Sequence, residues 1–435
     1  MRSFRGEDGP GLSAAGALEV AAAAGRRLVR DALWWERRCT WTGWTHEVVG
    51  GRMLSVHRAL GWNLYDGVAG IAVFLARLQR ACGDAEIRRH AHGAARQLLA
   101  FDSAAGAGEG LYLGRAGVAW ALVEVGTVLD FPAARARGVE ILCATPSTTG
   151  NPDVLSGVAG RVLAALDVFR ATGEAPVRAL ADAEAARLLS LAEPDGHGGR
   201  RWLMREINPH AALTGYSHGA AGIALAFGEA AAVLEEGAYL AAAAELLAYE
   251  RGLFDGAAEN WPDLRPVAGD AEDDPAEGPT FEVAWCNGAA GVGLARLALW
   301  RRRPERVLVE EVEHAAAATR RHLRSTPELN SSLCHGLCGN LEFLQDAARL
   351  LARSALAEGA DEASARLADV AMESGFALRS GVMSHQESPV LFLGLAGVGH
   401  YFLRLWDPAQ VDSLLVIQRD PGEPQRKAAG ESADR

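Results

Sequence analysis

The sequence predicts an all-α protein in which seven helical hairpins close into a toroid of two concentric helical layers. A template of one hydrophobic or aromatic residue, a variable pair and Gly-x-x-Gly occurs seven times. Alanine is abundant, and the alternating β-branched runs typical of strands are nearly absent. The first glycines of the seven copies are Gly67, Gly114, Gly157, Gly219, Gly288, Gly336 and Gly394. Their spacings of 43 to 69 residues indicate a repeat architecture with room for two helices per repeat.

The residues after each Gly-x-x-Gly predict an inner helix. Ile71, Phe74, Leu75 and Leu78 recur at i, i+3, i+4 and i+7, which is the spacing of one helical face. Stretches upstream, such as 238–249, predict an amphipathic outer helix. We therefore expect each repeat to run as outer helix, loop and inner helix, with the glycines allowing neighbouring backbones to approach closely.

If all inner helices begin at one end of the ring, the residues just before the first glycines surround a common mouth. Repeats four to six place histidine and cysteine at these positions, namely His218, Cys286, Cys334 and His335. Two thiolates and one imidazole form a ligand set that zinc prefers, and three protein ligands leave one tetrahedral position for substrate. The sequence alone also permits a structural zinc or buried core cysteines. Cys338, one helical turn after Cys334, is expected to be a core residue.

Composition narrows the class of protein. The chain has 435 residues and a formal net charge of −12, which argues against nucleic-acid binding. No apolar run is long enough for a transmembrane segment, and no signal peptide is visible. The six cysteines lack the regular spacing of a disulfide-bonded scaffold. This favours a reducing compartment, so we expect a cytoplasmic protein. We expect a tail over 1–14, one toroidal domain over 15–415, a disordered tail over 416–435 and an acidic surface loop over 269–280.

Three motifs together resemble those of the lanthionine cyclases, the LanC family. They are Tyr216-Ser217-His218-Gly219, Trp285-Cys286-Asn287-Gly288 and Cys334-His335-Gly336, and the resemblance covers about residues 15 to 415. Segments such as Asn260 to Arg265 look like the cyclase domain of class II (LanM-type) synthetases. Those synthetases carry a large dehydratase domain ahead of the cyclase, and this chain is too short to include one. We therefore expect a free-standing cyclase domain.

The resemblance implies an α,α-toroid with seven inner and seven outer helices, and a reaction. A cysteine thiol of a dehydrated precursor peptide adds to dehydroalanine or dehydrobutyrine, and a thioether ring closes. A separate dehydratase is the second partner that this chemistry implies. The family motifs, matched residue by residue, imply that Zn2+ is held by Cys286, Cys334 and His335, that His218 transfers the proton with support from Asp153, and that Asn287, Tyr65 and Asp66 line the substrate pocket.

Two positions depart from patterns found in the family. Some members have tyrosine or histidine where Asn287 stands, and some have arginine where Glu282 stands. Addition of the thiol produces an enolate, and a glutamate cannot supply positive charge to it. Zinc, another cation or the amide of Asn287 would have to stabilise the enolate instead. Two alternatives stay open: addition of glutathione or another small thiol to dehydroamino acids, and a non-catalytic partner that presents peptide to a dehydratase. A prenyltransferase subunit is less favoured, because its zinc-ligand spacing differs.

Overall fold

The computed structural model describes residues 11–49, 52–102, 108–144, 147–196, 198–266, 279–326 and 329–419. These residues form fourteen α-helices, so the predicted mostly helical fold is confirmed. Seven helices begin directly after the predicted first glycines and are called inner helices: α2 (Val68–Cys82), α4 (Arg115–Val128), α6 (Val158–Thr172), α8 (Ala220–Leu234), α10 (Ala289–Arg302), α12 (Leu337–Leu350) and α14 (Leu395–Trp406). The other seven are called outer helices: α1 (Ala14–Asp31), α3 (Ala85–Leu99), α5 (Pro132–Cys143), α7 (Ala175–Ser190), α9 (Gly237–Gly252), α11 (Arg306–Ser325) and α13 (Ala360–Glu373).

The inner helices contact one another in cyclic order. Each packs against the next inner helix of the chain, and α14 also contacts α2. The order within a hairpin differs from our prediction, because most inner helices pack mainly against the outer helix that follows them, while α1 packs mainly against α14. The helices pair in this order because the loop from an inner helix to the following outer helix is short. The turn from α2 to α3 is only Gly83 and Asp84, with Gly83 in the left-handed region (φ 68°) and the Asp84 carboxylate accepting from the N–H groups of Glu86 and Ile87.

The loops that precede the inner helices, called the mouth loops, are joined by backbone hydrogen bonds. In each mouth loop the residue two positions before the first glycine donates its N–H to the carbonyl oxygen of its counterpart in the next repeat. The N–H donors and C=O acceptors are Tyr65 to Tyr112 (3.0 Å), Tyr112 to Leu155 (3.1 Å), Leu155 to Ser217 (3.1 Å), Ser217 to Cys286 (3.0 Å), Cys286 to Cys334 (3.4 Å) and Cys334 to Phe392 (3.1 Å). The N–H of Phe392 then donates to the carbonyl of Tyr65 (2.9 Å), so the seven bonds form a closed cycle.

The second glycine of each Gly-x-x-Gly is required by a close backbone approach. A Cβ built at Gly222 would overlap the carbonyl oxygen of Tyr216, which is the first residue of the same template. The same overlap recurs for the pairs Gly70–Leu64, Gly117–Leu111, Gly160–Val154, Gly291–Trp285, Gly339–Leu333 and Gly397–Leu391. The template therefore exists because the mouth loop folds directly onto the first turn of the inner helix.

The chain beyond α14 enters the centre of the fold. Leu414 and Leu415 are fully buried, and their carbonyl oxygens accept hydrogen bonds from the Tyr112 hydroxyl (3.1 Å each). The side chains of Val416, Ile417 and Gln418 are buried as well. Apolar residues 416–417 therefore add to the core beyond residue 415, the predicted end of the toroidal domain. Residues 1–10 and 420–435 of the predicted tails, and most of the acidic segment 269–280, lie outside the described residues.

The strongly helical prediction missed three short antiparallel hairpins. Strand β3 (Thr42–Val49) pairs with β4 (Arg52–Ala59), β1 (Leu33–Trp35) with β2 (Arg38–Thr40), and β5 (Glu193–Pro194) with β6 (Arg200–Arg201). A hairpin signal was present in the sequence at Gly50-Gly51, which separates the two longest strands. None of the described helices unites enough length with enough apolar character to cross a membrane.

We predict that Gly222→Ala lowers the free energy of unfolding by about 2 to 3 kcal/mol, because the added methyl group overlaps backbone that cannot move freely. The measurement is urea unfolding followed by circular dichroism. Gly237→Ala is the control, since a Cβ at that residue meets no atom within 4 Å. Equal stability of the two variants would contradict the close-approach explanation of the repeat.

We predict that a chain ending at residue 415 is less stable than one ending at residue 419 by about 3 kcal/mol or more. The longer chain keeps the buried residues 416–418 and the ion pairs of Arg419 with Glu124 (3.0 Å) and Asp167 (3.3 Å). Urea unfolding of the two truncated proteins measures the difference. Indistinguishable midpoints would show that residues 416–419 contribute nothing to the core.

Candidate metal and acid–base site

The structure brings the three predicted metal ligands together. One ligand atom each from Cys286, Cys334 and His335 lies within 4.8 Å of the others. Cys286 and Cys334 are consecutive members of the hydrogen-bonded cycle, which sets their backbones side by side. His335 follows Cys334 directly, and Gly336 then begins α12 as its N-terminal cap. A tetrahedral zinc site has sulfur ligands at about 2.3 Å and nitrogen at about 2.0 Å, so ligand atoms stand about 3.5 Å apart and this cluster fits with small side-chain movements.

The two thiols interact directly. Burial raises the pKa of the Cys334 thiol well above its usual value, and the hydrogen bond shared with Cys286 raises it further. The same hydrogen bond lowers the pKa of Cys286. Cys286 is therefore the thiol that ionises first. A zinc ion would replace the protons of both thiols, because coordination deprotonates cysteine outright.

A further contact orients the imidazole of His335. Its Nε2 lies 3.0 Å from the carbonyl oxygen of Gly381, which can only accept a hydrogen bond. Nε2 therefore carries the proton, and the lone pair for a metal is on Nδ1. The N–H of Gly381 in turn donates to the carbonyl of Leu393 (2.7 Å), so Gly381 is hydrogen-bonded to the seventh mouth loop.

Two neighbouring mouth loops form a histidine–carboxylate pair: His218 lies in the loop next to that of Cys286, and Asp153 lies in the loop before α6. Nδ1 of His218 lies 2.5 Å from Oδ2 of Asp153. The Asp153 side chain is fully buried and its Oδ1 also accepts from the N–H of Ser156 (2.9 Å), whereas the His218 side chain is 20% exposed. Nδ1–H must be the donor, which leaves Nε2 to exchange a proton with a ligand at the mouth. Ser217, the neighbour of His218, donates to the Cys286 carbonyl, so His218 and Cys286 lie in adjacent mouth loops.

The three predicted pocket residues have different environments. Burial, followed by the charges of Cys334 and Cys286, raises the pKa of the Tyr65 hydroxyl well above its usual value. Asp66 is engaged within its own loop, where it accepts from the Asn63 amide (2.7 Å). Asn287 is only 4% exposed, and its Oδ1 has no hydrogen-bond partner among the described residues.

Arg265 is absent from the site residues that the sequence predicts. After the hydrogen bond with Cys334, its positive charge contributes to the lowered pKa of Cys286, and it acts in the same direction on the pKa of Cys334. Asp263 pairs with Arg265 at 2.6 Å. The segment Asn260 to Arg265 was recognised only as a class II feature, and nothing in the repeat pattern links it to Cys286.

Comparisons with known proteins identify the family of the chain and a solved structure of similar fold. The sequence pattern of the family described as "Lanthionine synthetase C-like protein" matches residues 58–416. Among solved structures, nisin cyclase aligns with a TM-score of 0.58 and 18% identity over 82% of this chain and 92% of that chain. The GH76A alpha-1,6-mannanase from Salegentibacter sp. HEL1_6 aligns with a TM-score of 0.49 and 12% identity over 90% and 99% of the two chains. No curated protein matches the sequence.

We predict that Cys286→Ala and Cys334→Ala each lose about one equivalent of bound zinc, because each removes a ligand from a three-residue site. Elemental analysis by mass spectrometry after dialysis measures the loss. Cys338→Ala is the matched control, since Cys338 is fully buried and stands outside the ligand cluster. Full zinc retention in Cys334→Ala, or equal loss in the control, would refute the assignment.

Proposed function

The chain belongs to the family of lanthionine synthetase C-like proteins, and we propose that it is a zinc-dependent cyclase that forms thioether rings in a dehydrated precursor peptide. The observation that supports this most strongly is that the cluster of Cys286, Cys334 and His335 lies next to the mouth loop of His218, whose imidazole pairs with Asp153 of the preceding loop. We further infer that the cyclic contacts of the inner helices make the fold an α,α-toroid, with the peptide entering at the mouth loops.

The proposed reaction joins a cysteine sulfur of the peptide to the β-carbon of dehydroalanine or dehydrobutyrine. A zinc ion bound by the three ligands would supply the peptide thiol in its thiolate form at neutral pH. As the S–Cβ bond forms, the electrons of the C=C bond move towards the adjacent carbonyl and give an enolate. The enolate takes up a proton at the α-carbon, so the ring closes without any change in peptide mass.

His218 is the residue that we assign to this proton transfer. Its Nδ1–H is held by Asp153, so Nε2–H of the imidazolium is the acid that faces the mouth. The Asp153 carboxylate fixes the ring orientation and compensates the charge of the imidazolium. After the transfer, neutral His218 regains a proton when the next peptide thiol ionises, which completes the cycle.

The proposed partners follow from the chemistry. The substrate must arrive with serine or threonine already dehydrated, so a separate dehydratase would act before this protein. All six cysteines are free thiols in the structure, including the adjacent Cys286 and Cys334, and this suits a reducing cytoplasm. Because residues 260–265 resemble class II cyclase domains, we propose that the protein acts as a cyclase of that type.

We predict that the zinc-loaded protein consumes the free thiol of a dehydrated, cysteine-containing peptide at unchanged mass, and that His218→Ala slows this by about 10²- to 10⁴-fold with zinc retained. Thiol alkylation and mass spectrometry over a time course measure the rate. His210→Ala, at an exposed histidine, is the control and keeps the wild-type rate.

Absence of thiol loss above the protein-free rate, in wild-type protein with its zinc in place, would contradict the proposed function. An unchanged rate in His218→Ala would instead remove only His218 from the mechanism. Asp153→Asn combined with His218→Ala should cost no more than His218→Ala alone, because Asp153 acts through His218.

A further inference from the structure

Arg265 is held in one orientation by a neighbouring carboxylate. Nε of Arg265 lies 3.0 Å from both Asp263 oxygens and Nη2 lies 2.6 Å from Oδ2, while the Arg265 N–H donates to Oδ1 (2.9 Å). The remaining nitrogen, Nη1, donates to no residue among those described. An arginine fixed along one edge of its guanidinium in this way presents a preoriented donor on the other edge.

The Asp263–Arg265 pair is attached to the same loop that supplies Cys286. The N–H of Asp263 donates to the carbonyl of Thr280 (2.8 Å), and the amide of Asn260 donates to the carbonyl of Glu282 (2.8 Å). Since its side chain is 38% exposed, Arg265 is accessible to a ligand at the mouth.

The proposed reaction needs a positive group beside the carbonyl oxygen of the dehydroamino acid. None of the residues assigned so far supplies one there. Negative charge develops on the carbonyl oxygen of the dehydro residue while its β-carbon meets the sulfur. Glu282, which stands where some family members have arginine, is exposed and anionic and would oppose this charge. A preoriented guanidinium donor has the charge and geometry that stabilise an oxyanion.

We propose that Arg265 is a catalytic residue of the cyclisation, and that its Nη1–H group donates a hydrogen bond to the carbonyl oxygen of the dehydroamino acid. This inference rests on the proposed function. As the C–S bond forms, the π electrons of the C=C bond shift onto that oxygen, and Arg265 stabilises the resulting enolate. When His218 delivers its proton to the α-carbon, the carbonyl reforms and the charge is lost, so Arg265 itself exchanges no proton. Asp263 is the positioning residue that keeps the guanidinium aligned.

The test measures single-turnover ring closure, Michaelis constant and zinc content for Arg265→Gln and Arg265→Lys, with the exposed Arg205→Gln as control. We expect Arg265→Gln to lower kcat about 100-fold with KM and zinc little changed, because removal of one oxyanion donor costs about 10²- to 10³-fold. Arg265→Lys keeps the charge and should recover part of the rate. Arg265→Ala should be accelerated by millimolar ethylguanidinium, a response that a merely structural role would not give.

The possible failures are distinguishable. A wild-type enzyme that cyclises while Arg265→Gln cyclises equally fast overturns the role of Arg265 and leaves the proposed function intact. Loss of rate that parallels loss of zinc, without rescue by ethylguanidinium, also overturns the catalytic role. If the wild-type protein does not cyclise, the proposed function fails first.

Discussion

The closed cycle of seven backbone hydrogen bonds between the mouth loops is the constraint on which the site depends. Hydrogen-bonded neighbouring backbones lie about 4.8 Å apart, so side chains at equivalent positions of successive loops are within reach of one ion. Cys286 and Cys334 are such equivalent positions. The metal ligands therefore meet because of the repeat register, and the second glycine of each template allows every loop to sit close enough to its helix for that register to hold.

Aromatic and apolar side chains fill the space behind the mouth loops. Tyr112, Trp285 and Phe392 contact one another with ring centroids 4.7 to 5.0 Å apart. The Trp285 indole N–H and the Tyr112 hydroxyl both bond the carbonyl of Leu415, so the chain beyond α14 closes the centre of the fold. On the mouth side, by contrast, Cys286, His335 and His218 keep part of their surface exposed.

The sequence was sufficient for features that repeat and insufficient for contacts made by segments outside the repeat. Periodic glycines located all seven inner helices and brought His218 and the three ligand residues to one mouth. The role of Arg265 could not be predicted from the repeat. Its position depends on the pairing of Asp255 with Asn260 across a turn and on the hydrogen bond from Asp263 to Thr280, and neither contact follows the repeat period. The buried residues 416–418 follow α14 without a Gly-x-x-Gly of their own, so the repeat pattern does not show where the core ends.

X-ray absorption spectroscopy at the zinc edge of the purified, zinc-loaded protein tests the central claim most directly. If the register of the mouth loops creates the zinc site, the spectrum will show two sulfur ligands at about 2.3 Å and one imidazole nitrogen at about 2.0 Å. Any further ligand will be a light atom. Four sulfur ligands, or a shell of oxygen and nitrogen alone, would contradict it.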